Sequence, residues 1–338
     1  MEATDLYIKV KRHIAQAIFN GTYNEGERLP SERALSEELG VSRVTVRKAL
    51  AELGQEQLLQ REVGRGTQIA FHNLGHKDSL DSICLVAPAK TPFFSSFIEA
   101  LQTILDKQDI LLIYVQKSKY KSLEDCLFKL YKRELYNTVI WPDDEPLDED
   151  KLKRLRAIGM NMTFFDTDIQ EKYADRVLMD NQKAITDLLK AAGKTRRPAL
   201  YLGWDNYQVY SVKCREDIYR QEQAGQVAVR TVSWKQRMNP DEELRGIVSK
   251  LPATADVFCG SGEIGLALGR VLGEEKGRDV RIYSIDEFPQ SQAYNITTVA
   301  QDYGQSATAV LASLTAQCSG EGTWQAKSIK VPGQLISR

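Results

Sequence analysis

The sequence predicts an α/β protein in two parts: a small helical head closed by a short hairpin, and a larger region of parallel sheets. Three observations carry this. Apolar residues recur at helical spacing near the N-terminus, short apolar runs alternate with helical stretches further on, and a polar, aperiodic stretch at 71–81 (FHNLGHKDSLD) separates the two styles. The chain of 338 residues also exceeds the roughly 250 to 300 residues at which a single core stops growing. The expected division is a head at 1–70, a linker at 71–81 and the larger region at 82–338.

In the head, Leu6, Val10, Ile14, Ala17 and Ile18 share one face of a helix over 5–20 that ends at Gly21. Pro30-Ser31-Glu32-Arg33 opens a second helix with Ser31 as N-cap, and Leu39-Gly40-Val41 makes a tight turn. A third helix begins at Ser42. Its Val46, Ala49, Leu50 and Leu53 point to one side, while Arg43 and Arg47 lie four residues apart on a neighbouring side with Thr45 and Lys48 exposed. This is a helix-turn-helix. Arginines near the start of its second helix can enter the major groove and offer two donors to guanine O6 and N7, while Ser31, Ser42 and Thr45 can bind phosphates. Residues 58–61 and 67–69 flank Glu62-Val63-Gly64-Arg65-Gly66, a hairpin with a basic, glycine-rich tip that acts as a wing, with Arg65 on the DNA backbone or in the minor groove.

Taken singly, each of these side chains is equally an ordinary surface residue; their order is what distinguishes them. The segment resembles the winged helix-turn-helix of the GntR family, whose Leu-Pro-Ser-Glu-Arg, Leu-Gly-Val-Ser-Arg, Thr-Val-Arg and Gly-x-Gly-Thr motifs stand here at 29–33, 39–43, 45–47 and 64–67. The resemblance implies that Arg33, Arg43, Arg47 and the wing glycines Gly64 and Gly66 contact double-stranded operator DNA. Because the head carries comparable numbers of acids and bases, Glu37, Glu38, Glu52 and Glu56 are expected to turn away from the DNA.

Beyond the linker, apolar runs at 83–86, 111–115, 138–141, 162–165, 177–179, 199–202, 227–232, 257–259 and 280–285 alternate with helical stretches such as 96–107, 181–192, 242–250 and 263–275. That alternation predicts βαβ units and parallel sheets. Composition narrows the class further. No apolar run approaches the ~20 residues of a membrane span, and the polar N-terminus lacks a secretory h-region, so a cytoplasmic protein is expected. The five cysteines are widely spaced without a Cys-x-x-Cys pair, which predicts reduced core thiols and neither a disulfide nor a zinc framework. A net charge of −1 neither demands nor excludes nucleic acid.

This larger region resembles, over nearly its whole length, the two-lobed, periplasmic-binding-protein-like sensor of the LacI/GalR repressors. The matching segments are SICLVAPAKTPFF at 82–94, Phe165-Asp166, VLMDN at 177–181, DVFCGSGEIG at 256–265, GRDVRIYSIDE at 277–287, TTVAQ at 297–301 and VPGQLISR at 331–338. A GntR head on such a sensor is the arrangement of AraR-like regulators of pentose use. A homodimer is expected because one small reader buries too little surface for operator-level affinity, no cofactor or metal is expected, and the resemblance implies a small sugar-like effector bound outside the carboxyl ends of the strands. It places Phe94, Arg215, Ser261 and Asp286 in the pocket. Asp166 joins them as a charged group able to pair with hydroxyls, and Trp141 and Trp204 as aromatic platforms expected from strand-end position alone. For each aromatic the competing reading is a core or hinge-packing role.

Two departures stand out: Ser261-Gly262 replaces an Asn-Asp pair, and Ser284-Ile285-Asp286-Glu287 replaces Gly-Phe-Asp-Asp. Glu263 is expected as a helix cap. Lobe closure around the ligand is expected to move 71–81 and so the heads. Two other readings stay open: a regulator sensing a non-sugar ligand such as a purine, and a sugar-processing enzyme with a DNA-binding head. The enzyme would have to work with carboxylates, because the three histidines, His13, His72 and His76, all lie in the head and linker.

Overall fold

The computed structural model describes the chain apart from residues 1–2, 57, 63–65, 72–79, 88–91, 119, 143–145, 168–171, 195, 224–227, 276 and 320–323, with only the backbone described at 3–5, 62 and 92–94. The head is built from α1 (Ala3–Phe19), α2 (Glu32–Leu39), α3 (Arg43–Gln55) and an antiparallel pair, β1 (Leu59–Glu62) and β2 (Gly66–Ile69). Its boundaries follow from local chemistry. The Ser31 hydroxyl accepts from the Ala34 N–H at 3.2 Å and starts α2, and the Ser42 hydroxyl accepts from the Thr45 N–H at 3.1 Å and starts α3. Between them Gly40 ends α2 at φ 62°, in the left-handed region that glycine enters without steric cost. Val10, Ile14, Ile18, Leu35, Val46, Ala49 and Leu53 close the head's core, with Leu50 only partly buried.

The chain continues through β3 (Ser82–Ala87), α4 (Pro92–Asp106), β4 (Leu111–Gln116), α5 (Leu123–Tyr131), β5 (Asn137–Ile140), α6 (Glu149–Ala157), β6 (Asn161–Phe165) and β7 (Asp175–Met179). Then come α7 (Asn181–Ala192), β8 (Ala199–Trp204), α8 (Tyr210–Glu222), β9 (Ala228–Val232), α9 (Asp241–Val248), β10 (Thr254–Cys259), α10 (Gly262–Glu274), β11 (Asp279–Ile285), β12 (Thr297–Ala300), α11 (Tyr303–Ser319), β13 (Ser328–Val331) and β14 (Gln334–Ile336). They form two six-stranded sheets, ordered β13-β7-β6-β5-β3-β4 and β14-β12-β11-β10-β8-β9. The pairs β3/β4, β3/β5, β5/β6, β8/β9, β8/β10, β10/β11 and β11/β12 are parallel, and β14 runs antiparallel to β12. Every residue of β5 and β6 is buried, as expected for parallel strands covered on both faces.

Two compact units result: one comprises Met1–Phe165, Ile169–Arg176 and Ala307–Ser328, the other Asp166–Asp168, Val177–Ser306 and Ile329–Arg338. The first unit therefore holds the head together with the sheet that begins at β3. Most of the expected linker, 72–79, lies outside the described residues. Inside this unit runs a buried polar network. Arg156, 1% exposed, donates through Nη1 to the Met160 carbonyl (3.1 Å), Asn161 Oδ1 (2.8 Å) and Gln317 Oε1 (2.6 Å), and its guanidinium lies 4.1 Å from the Trp324 ring centre. Burial lowers the Arg156 pKa to about 9, against the pull of Asp175. No described helix is long and apolar enough to cross a membrane.

Candidate DNA-reading face and ligand cluster

The exposed side of α3 presents Arg43, Val44 and Arg47. Arg43 makes no hydrogen bond or ion pair among the described residues, whereas Arg47 reaches back to Glu32 of α2, with Nε and Nη2 at 3.2 and 3.0 Å from Oε2. The other carboxylate oxygen of Glu32 accepts from Arg61 of β1 at 3.4 Å. The hydrogen bond from Arg47 holds the Glu32 carboxyl below its ordinary range, opposing the smaller effect of burial. One acid thus gathers a cation from the reading helix and another from the wing. Exposed pairs of this kind contribute about 0 to 1 kcal/mol, so a phosphate can displace the carboxylate at little cost. Ser42 and Thr45 hydroxyls lie 2.8 Å apart, oriented by each other at the start of α3.

Several expectations about this face need adjustment. Glu52 and Glu56 do turn away, both to Lys11, and Glu38 pairs with His13. Glu37 accepts from Arg33 Nε at 2.8 Å, because residues four apart on α2 share a face, so it points the same way as Arg33. Lys48 lies with its ammonium 4.1 Å from the Tyr7 ring centre and so leans toward α1. Gly64 and Arg65 lie outside the described residues, while Gly66 opens β2 at φ 95°. Sequence reasoning passed over Glu32, Arg61 and Val44. Val44 is 74% exposed in the midst of the reading face, and its position two residues before the buried Val46 already put it off the core side.

The second unit assembles a polar cluster from strand ends. Asp166 follows β6 and Asp286 follows β11, and both have left-handed backbones, at φ 52° and 70°. Non-glycine residues enter this region rarely, and such positions gather at functional sites. Each is pinned by its own N–H, Asp166 to the Val177 carbonyl at 3.0 Å and Asp286 to the Val299 carbonyl at 2.9 Å. Arg215 of α8, 5% exposed, donates to Asn181 Oδ1 and to the Gly260 carbonyl, both at 2.8 Å. Gln301 Nε2 donates to Asp286 Oδ1 at 2.6 Å. Two buried polar atoms here, Asp166 Oδ1 and Asn181 Nδ2, have no hydrogen-bond partner among the described residues. Burial pushes the Asp166 carboxyl up to about 6; the charge of Arg215 opposes this and that of Asp286 adds to it. Burial, then Asp286 and Asp166, likewise raise the Tyr303 phenol, which sequence reasoning did not single out.

Other expected site residues stand elsewhere. Trp204 is 2% exposed, packs edge-on against Trp234 and donates its indole N–H to Ser261 Oγ at 2.9 Å, so it is a core side chain and not an open platform. Ser261 also caps α10, and Glu263 in the first turn is not the cap; burial and then Asp286 raise its carboxyl. Gly262 accounts for the missing carboxylate: a Cβ there would run into Phe288 and approach Asp286 Cβ to 3.1 Å. Trp141, in the first unit, is half-buried and edge-on to Phe97 and Phe165. The side chain of Phe94 lies outside those described.

Residues 6–69 match the sequence model of bacterial regulatory proteins of the gntR family. Similar curated proteins are the HTH-type transcriptional regulator GgaR of Escherichia coli (strain K12), 47% identical over 66 residues, and the mannosyl-D-glycerate transport/metabolism system repressor MngR of the same strain, 44% identical over 64 residues. These matches cover 20% and 19% of this chain and only 27% of each relative, so the chain spans about a quarter of the length of these curated relatives. Among solved structures, the trehalose repressor from Escherichia coli matches 76% of this chain and 100% of its own with a TM-score of 0.62 at 16% identity. The lac repressor dimer bound to operator and the anti-inducer ONPF matches 78% of this chain and 94% of its own, with a TM-score of 0.61 at 18% identity. The head is a GntR-type helix-turn-helix, and the remainder has the α/β fold of LacI-type sensors.

Proposed function

We propose that this chain, a GntR-type reading head joined to a LacI-type sensor fold, is a cytoplasmic transcription regulator that binds operator DNA as a homodimer and releases it when a small sugar or sugar derivative binds. In this reading the head ends near residue 70, the sensor begins near residue 82, and the intervening stretch connects them. The observation that carries the sensor half is the cluster of Asp166, Asn181, Arg215 and Asp286, where a buried carboxylate oxygen and a buried amide N–H group lack partners among the described residues. Unsatisfied buried polar atoms are costly, and a polyol supplies donors and acceptors to both. Asp286 and Arg215 then orient the sugar hydroxyls, and Phe94, Ser261 and Trp141 complete the proposed contacts, with Trp204 supporting Ser261 from behind. Names that refer to sugars among the similar proteins support the same class.

On the DNA side, Arg43 reads a base edge, Arg33, Arg47, Ser31, Ser42 and Thr45 position the helix on phosphates, and the wing with Gly64, Arg65 and Gly66 follows the backbone. A ligand shifts operator occupancy only by its difference in affinity for the two sensor states. The test is selection of an operator from random DNA, followed by titration with the full chain in the presence of pentoses, hexoses, deoxyhexoses, their phosphates and purines. One sugar class is expected to weaken operator binding and to be recovered chemically unchanged. Release by a purine alone, or recovery of a processed sugar, would overturn the sugar-sensor reading.

A further inference from the structure

Within the first unit the head is not merely tethered. Phe19, at the end of α1, stacks on Phe128 of α5 with ring centres 4.3 Å apart and planes 4° from parallel, and one apolar cluster runs from Ile14 and Ile18 through Leu127, Phe128 and Leu155. Helix α6 closes the contact. Arg154 Nη1 donates to the carbonyls of Ile18 (3.1 Å) and Tyr23 (3.4 Å), and its Nη2 to Asn24 Oδ1 (2.7 Å). Its guanidinium thus sits at the C-terminal end of α1, where carbonyls left without intrahelical partners and the helix dipole both favour a cation. Lys153 pairs with Glu25 at 2.8 Å and Arg12 of α1 pairs with Glu134 at 3.2 Å. Two residues on, Arg156 anchors the same short helix in the buried network with Asn161 and Gln317.

We infer that α6 is a rigid coupling element and Arg154 a positioning residue for operator recognition: the head moves as one body with the sheet that starts at β3, so this contact, and not the stretch at 71–81, sets the spacing of operator half-sites. The inference rests on the DNA-binding homodimer proposed above. A flexible tether lets two heads follow half-sites through a range of separations, because effective concentration falls gradually with span. A docked head cannot follow. Adding about 5 base pairs turns the second half-site to the opposite face of the duplex.

The experiment uses the full chain and the selected operator with its half-sites re-spaced by −2 to +6 base pairs, alongside a single half-site. Wild type is expected to lose about tenfold or more in affinity at the worst spacing. Arg154→Ala should flatten the profile to within about threefold while single half-site affinity holds. Lys153→Glu should flatten it partly, and Glu25→Lys added to Lys153→Glu should restore it. Charge-pair rescue is a readout that mere loss of stability does not produce. A wild-type profile already flat, or an Arg154→Ala profile as steep as wild type, overturns the inference. A chain that sediments as a monomer on DNA, or binds no half-site, overturns the parent reading instead, and the coupling role with it.

Discussion

The reading face of α3 and the cluster around Arg215 handle charge in opposite ways. On the head the cations stand in water, Arg47 of α3 and Arg61 of β1 held loosely by Glu32 and Arg33 of α2 by Glu37, so exchanging a carboxylate for a phosphate costs little. Around Arg215 the charges are buried, the backbone at Asp166 and Asp286 is strained, and the guanidinium donates to Asn181 and to the Gly260 carbonyl, both distant in sequence, with N–H groups left over for a ligand. The first arrangement suits a polyanion met along an open surface. The second suits a small molecule that must replace the missing partners of a closed site.

The largest effect that tests this contrast is Arg215→Ala. Removing the guanidinium strands the Gly260 carbonyl and Asn181, and should lower unfolding free energy by about 2 to 4 kcal/mol in urea titration while abolishing the sugar response. A fully stable variant would mean that water already satisfies the cluster. Next comes Asp166, whose carboxyl at about 6 in the folded chain stands above its ordinary 3.8. Between these values the folded form keeps a proton that the unfolded chain has lost, so this residue favours folding increasingly as pH falls through 6, and its penalty is fully present above that. Wild type should therefore gain about 1 to 2 kcal/mol relative to Asp166→Asn between pH 7 and pH 5; an identical pH dependence of the two would place Asp166 in water.

On the open face the expected losses are of similar or smaller size. Arg43→Ala should cost about 1 to 3 kcal/mol on the selected operator and much less on scrambled DNA. Arg47→Ala, whose guanidinium is turned toward Glu32, should weaken both alike. Equal selectivity loss in the two variants would make Arg47 a base reader as well. The apolar group that the exposed Val44 can meet in the major groove is a thymine methyl, so Val44→Ala should cost under about 1 kcal/mol, and deoxyuridine in place of that thymine should reproduce the loss without adding to it. Additive losses would remove Val44 from the groove.

The same contrast explains what the sequence could and could not reveal. Ser31, Gly40 and Ser42 announce the head because caps and turns act over three or four residues. Strands β3 to β11 and helices α7, α9 and α10 are legible for a similar reason, as apolar periods, whereas β12, β13 and β14 are not among the runs read as strands. Helices α5, α6, α8 and α11 are absent from the sequence reading, and three have a physical cause in common. α6 (EDKLKRLRA) buries Arg156 between Leu155 and Ala157, α8 buries Arg215 and Glu216, and α11 buries Ser306, Ser313 and Gln317, so polar side chains stand where a periodic apolar face is sought. The cluster itself draws on residues from 166 to 303, and only its strand-end aspartates could be anticipated from position. That Ser261 takes Trp204's hydrogen bond depends on a contact across 57 residues of chain, which no local pattern records.

If operator reading and sugar sensing lie in separate, coupled regions, substitutions in the two must separate DNA affinity from the sugar response. The decisive measurement titrates operator with wild type, Asp286→Ala and Arg43→Ala, each with and without the sugar identified by screening. Asp286→Ala should keep wild-type operator affinity and show no sugar response, and Arg43→Ala should bind operator more weakly while keeping the full fold-change on sugar addition. A normal response from Asp286→Ala, or loss of the sugar effect in Arg43→Ala, would contradict that separation.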